Sequence, residues 1–106
     1  MSDLLKKYDI AYINEQIKHY ENILVDIYYL KARIEEALNK NETIANSRYS
    51  STSALAKKIG FKVNYGIGLH CTDWFEIDKK HIIELYKYEE EIKNEIKKLE
   101  AKVNKL

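Results

Sequence analysis

The sequence predicts a mainly α protein: two long antiparallel amphipathic helices in a coiled-coil-like hairpin, with a short helix and a small β-strand or hairpin inserted between them. Three observations carry that prediction. Apolar residues recur at alternating three- and four-residue steps over 3–40 and again over 73–106. Residues 41–72 lose that period, and part of them alternates apolar with polar. Charged residues make up 33% and apolar ones 45%, a balance that suits a folded helical chain rather than a disordered one. At 106 residues the chain is read as a single domain, 1–106, with oligomerisation helping a core this small.

The first helix is expected over 3–40. Ile10, Ile13, Ile17, Tyr20, Leu24, Ile27, Ile34 and Leu38 form its seam, with Lys31 in the one polar slot. Ile23, Leu30 and Ala37 widen the stripe, which suits a bundle better than an isolated two-stranded coil. Asp3 is a natural N-cap, and Asn39 and Asn41 mark the end.

In the insert, 41–72, the polar run Asn46–Ser53 reads as loop. Residues 53–59 read as a short helix closed by Gly60. Phe61, Val63, Tyr65, Ile67 and Leu69 then alternate with polar residues and glycines, the period of a short strand or hairpin.

The last helix is expected over 73–106. Asp73 and Glu76 have capping-box spacing, and Asp78 is a second candidate start. Its seam is Ile82, Leu85, Ile92, Ile96, Leu99, Val103 and Leu106, with Glu89 in the polar slot. An antiparallel fold-back that sets Leu38 near Leu85, or Ile34 near Ile82, brings Lys31 and Glu89 into adjacent layers. They would then pair and fix register, or else snorkel to water. The expected hairpin and dimer seam is therefore Ile27, Lys31, Ile34, Leu85, Glu89 and Ile92.

Composition narrows the function classes. The net charge of +1 is poor footing for a nucleic-acid binder, and acids interleave with the lysine pairs. A single cysteine, Cys71, forms no internal disulfide and fits a reducing cytosol. The N-terminus lacks a secretory signal pattern, and no apolar run approaches a membrane span, so a cytoplasmic location is expected.

Candidate chemistry is sparse. Leu55–Gly60 looks like the first helix and turn of a helix-turn-helix, but alternating residues and glycines follow where a recognition helix is needed. His70, Cys71, Asp73, Asp78 and His81 lack the paired ligands of a zinc site, so no metal and no cofactor are expected. No nucleophile or acid/base constellation is visible, and the chain is not read as an enzyme. Arg48, with backbone N–H groups near Thr52, is the place to look for a bound anion.

Aromatic residues are the suggestive feature, with nine tyrosines. Tyr12, Tyr28, Tyr29, Tyr86 and Tyr88 sit beside the seams, while Tyr49, Tyr65, Trp74 and Phe75 crowd the middle. They either fill bundle flanks or mark a contact surface. The residues expected to bind a partner are Arg48, Tyr49, Lys57, Lys58, Tyr65, Trp74 and Phe75.

The order of long helix, polar Ser/Gly loop and the run Ile82-Ile83-Glu84-Leu85-Tyr86-Lys87-Tyr88-Glu89-Glu90-Glu91-Ile92 resembles the N-terminal helical half of small ArpU-type phage regulators. The C-terminal helix-turn-helix of those regulators has no counterpart in these residues. The resemblance implies a phage or mobile-element origin and a dimerising helical module. The expected function is a non-enzymatic interaction protein: a helical-hairpin homodimer that binds a host or phage protein and modulates or inhibits it, in the manner of an anti-CRISPR-like anti-defence inhibitor. The alternatives are a DNA-binding regulator using Leu55–Gly60 and a nucleotide-binding sponge at a subunit interface.

Overall fold

The computed structural model describes residues 2–40, 43–65 and 72–106. In chain order the elements are α1 (Ser2–Lys40), β1 (Ile44–Ser47), α2 (Ser51–Ile59), β2 (Val63–Tyr65), β3 (Thr72–Phe75) and α3 (Lys79–Lys105). The protein is mainly helical, with two long helices and a small antiparallel sheet between them in sequence, as the heptad patterns require.

The chain divides into two compact units, Asp26–Lys87 on one hand and Met1–Val25 with Tyr88–Leu106 on the other. In Asp26–Lys87, the later half of α1 and the start of α3 share a core with α2 and the sheet. Ile27, Leu30, Ile34 and Ala37 of α1, Ile44 of β1, Leu55 and Ala56 of α2, Phe61, Phe75 of β3 and Leu85 of α3 are all buried. Lys31 places its ammonium 4.6 Å from the centroid of the Tyr86 ring. That contact marks the register between α1 and α3 in this unit. It agrees with the Ile34–Ile82 alignment and not with Leu38–Leu85. Leu38 is 56% exposed, so it leaves the seam, and Ala37 takes the inward position. An adjacent pair on a helix points about 100° apart, so only one of the two can face inward.

In the other unit, Ile92, Ile96 and Leu99 of α3 are buried. The α1 residues of the expected seam, from Ile10 to Leu24, are each only half-buried. Glu89 lies 3.9 Å from Lys93, one turn along α3.

α2 has matched caps at both ends. Ser50 is the N-cap, and its Oγ accepts from the Ser53 N–H at 3.1 Å. Gly60 ends the helix at φ 111°, a left-handed conformation that favours glycine. The Gly60 and Phe61 N–H groups both donate to the Ala56 carbonyl. A Cβ at Gly60 would also come within 3.1 Å of the His81 ring. Ser51 Oγ donates to Asp26 Oδ1 at 2.7 Å, tying the start of α2 to α1.

Two expected boundaries are corrected. The last helix begins at Lys79, not Asp73. Asp78 accepts from the Lys80 N–H at 2.9 Å through its side chain, so the second candidate start is the real one. Residues 72–75 instead form β3, the central strand of a sheet ordered β1-β3-β2. Pairing on both sides outweighs a capping spacing that one hydrogen bond would reward. The second correction is β1, where a loop was expected over Asn46 and Ser47. β1 pairs Ile44 with Phe75 and Ser47 with Thr72. The alternation from Phe61 is realised as β2, with Phe61 buried and Lys62 and Asn64 exposed. The rest of that alternation, 66–71, lies outside the described residues.

Candidate interaction site

Side chains on adjacent residues of β3 point to opposite faces of the sheet. Asp73 and Phe75 therefore face inward and Trp74 outward, and the burial follows: Phe75 is 1% exposed and Trp74 45%. Across the sheet Trp74 is aligned with Ala45 on β1 and Asn64 on β2. Neither neighbour is large, so the indole stands clear of its own sheet.

The inward carboxylate of Asp73 is fully buried and has two cations. Arg48 Nε donates to Oδ1 at 2.9 Å, and Lys57 Nζ lies 2.8 Å from Oδ2. Burial alone pushes the Asp73 carboxyl up. The hydrogen bonds from Lys57 and Arg48, and their charges, outweigh it and hold the carboxyl below its ordinary value. The cluster joins the turn after β1, the last turn of α2 and the central strand. Breaking such a pair leaves charge buried without compensation. Arg48 and Lys57, expected on a partner surface, are thus brought together as the clamp on Asp73.

The outward face has a different character. A cleft is lined by Arg33, Glu36 and Ala37 from α1, Thr43, Ile44 and Ala45 around β1, and Trp74 from β3. β1 is an edge strand, and Arg33 Nη1 donates to the Ala45 carbonyl at 2.9 Å, covering that edge. Glu36 pairs with Lys40 at 3.0 Å on the same helix, and this hydrogen bond with the ammonium charge lowers its carboxyl pKa. The result is a cleft with an aromatic wall, one guanidinium and one carboxylate.

The other expected site residues fall as follows. Tyr49 is 82% exposed in the turn after β1, and Lys58 is exposed on α2. Phe75 is corrected from contact residue to core, because strand alternation puts it behind Trp74 rather than beside it. Tyr65 is paired through its backbone with Asp73. Of the expected seam, Ile27, Ile34, Leu85 and Ile92 are buried, and Lys31 is half-buried. Gly60 leads into Phe61 and β2 rather than a second helix, so Leu55–Gly60 is not part of a helix-turn-helix. Among the described residues no group of three His, Cys, Asp or Glu side chains could hold a metal ion, and no helix is long and apolar enough to cross a membrane.

Sequence reasoning missed Arg33 and Asp73. Arg33 lies on the polar flank of α1 and reads as a solvated charge. Asp73 reads as a helix cap. A comparison with family models, curated proteins and solved structures finds no match to the chain.

Proposed function

We propose that the chain is a non-enzymatic interaction protein that binds a protein partner through the Trp74–Arg33 cleft and modulates or inhibits it. The observation that carries this reading is Trp74: a large aromatic side chain nearly half exposed, in a cleft with an arginine, on a sheet whose other face is packed. Tryptophan and arginine are enriched among the residues that dominate binding energy at protein interfaces. More than half of the indole is covered by its own fold, and the remainder is open to a partner. Tyr49, Tyr28 and Tyr29 add exposed aromatic surface in the same unit. The engagement of Lys57 with Asp73 and the strand that follows Gly60 weigh against the DNA-binding alternative.

The test is affinity capture from cells that express the protein, comparing wild type with Trp74→Ala and Arg33→Ala. The reading requires a protein that wild type recovers and both variants lose, while the circular dichroism of the variants stays native. Equal recovery by all three would rule out the cleft as the binding surface.

A further inference from the structure

Ala45 on β1 sits opposite Trp74 on β3, and its carbonyl accepts from Arg33. In an antiparallel ladder a residue exchanges both backbone hydrogen bonds with the residue opposite, or neither. Ala45 and Trp74 are therefore a non-hydrogen-bonded pair, and the Ala45 N–H points off the open edge beside its carbonyl. The β2 side agrees. The Glu76 N–H donates to the Lys62 carbonyl, so Trp74, two residues back, exchanges its bonds with Asn64. The Arg33 guanidinium thus stands where a fourth strand would place its N–H. That strand would set a carbonyl against the Ala45 N–H, and among the described residues no side chain accepts there. The guanidinium is equally short of acceptors. Arginine carries five N–H donors in a fixed fork, and Arg33 makes one hydrogen bond among the described residues. Glu36, the carboxylate lining the cleft, is bound to Lys40 at 3.0 Å and feels the Arg33 charge at longer range. Two cations, Arg33 and Lys40, stand against one anion, so the rim is net positive.

We infer that the segment a partner places in this cleft is acidic: an aspartate or glutamate whose carboxylate bridges the Arg33 guanidinium and the Ala45 N–H, beside an apolar side chain that covers the Trp74 indole. The inference rests on the reading of the cleft as a protein-binding surface and names what that surface selects. One carboxylate oxygen takes the place of the missing strand carbonyl on Ala45. The other accepts from the remaining N–H groups of the guanidinium, a charge-assisted bond about twice as strong as a neutral one. The Arg33 bond to Ala45 holds the fork in position before the partner arrives, which lowers the entropy that binding must give up. Only the Ala45 methyl stands between the indole and the edge, so one short segment can reach both. A basic segment would bring its cation against Arg33 and Lys40, like charges that disfavour it.

Selection from a random heptapeptide display library on the whole chain tests the inference. Peptides enriched on wild type and lost on Trp74→Ala are expected to carry Asp or Glu beside an apolar residue. On Arg33→Glu the enriched charge is expected to reverse to Lys or Arg. One selected peptide is then synthesised with its carboxylate or with the corresponding amide. Binding is read from the fluorescence of Trp74, the single tryptophan of the chain. The amide form is expected to bind wild type about tenfold more weakly. Arg33→Gln is expected to weaken the acidic peptide by a similar factor and to leave the amide form nearly unchanged, which separates loss of the ion contact from loss of the cleft. If Arg33→Gln loses native ellipticity, the two peptide forms on wild type decide alone. Trp74-dependent peptides that lack an acid, or that carry Lys or Arg against Glu36, overturn the acidic occupant and leave the cleft a binding surface. So does equal binding of the two peptide forms. No Trp74-dependent peptide at all overturns both the acidic occupant and the cleft.

Discussion

Replacing Phe75 and then Trp74 by alanine separates the two faces of β3. The two residues are neighbours in sequence, both aromatic and both on the central strand. Phe75 is 1% exposed among Ile44, Leu55, Phe61 and the other core side chains. Its truncation removes the whole transfer free energy of the ring and leaves a cavity, a cost of about 3–5 kcal/mol. At about 4–5 °C per kcal/mol for a chain of this length, the melting temperature should fall by about 12–25 °C. Trp74 is 45% exposed, so its truncation forfeits only the covered part of the indole and opens no cavity. A cost of about 1–2 kcal/mol, or about 4–10 °C, is expected. The assay is thermal unfolding followed by far-ultraviolet circular dichroism, with urea titration as a second measure of the same difference. Equal losses, or a larger loss at Trp74, would refute the facing of β3 and with it the assignment of Trp74 to a contact surface.

Three further outcomes follow from the same geometry. Asp73→Asn should lower the melting temperature at neutral pH, since Arg48 and Lys57 lose their shared anion. The Asp73 carboxyl is held below its ordinary value, so its contribution is present above the unfolded-state pKa of about 3.9 and is lost as pH falls through the lower folded-state value. The gap between variant and wild type should therefore close in acid, and a gap that persists unchanged would contradict the ion pairs. Gly60→Ala should cost about 1–2 kcal/mol in urea unfolding, because alanine is strained at φ 111° and its Cβ meets the His81 ring. Ser50→Ala should cost about 1 kcal/mol through the lost cap on α2, measured in the same way.

The long helices were legible because their packing is local and periodic: a seam repeated over many turns leaves few alternatives. The short helix was legible from its closing Gly60, but its start was not: 46–53 reads as loop, whereas Ser50 caps a helix that begins at Ser51. The sheet was harder. β1 is Ile44-Ala45-Asn46-Ser47, four residues with weak strand preference, and it exists because β3 offers it a partner far along the chain. Asp73 shows the cost of reading spacing alone. Its distance from Glu76 matches a helix cap, yet long-range pairing and two cations place it in a strand. The facing of Trp74 and Phe75 was not legible, because facing depends on strand parity once β3 is known. That parity sends Trp74 out and Phe75 in. Arg33 had no local signal, since only β1 gives its guanidinium a partner.

Trp74 and Arg33 are proposed to form the contact surface for a protein partner. Quantitative mass spectrometry of affinity captures, comparing wild type with a Trp74→Ala, Arg33→Ala double variant that remains folded, addresses it most directly. The expected result is a protein enriched by wild type and reduced to background by the double variant. Recovery of the same proteins in the same amounts by both would contradict it.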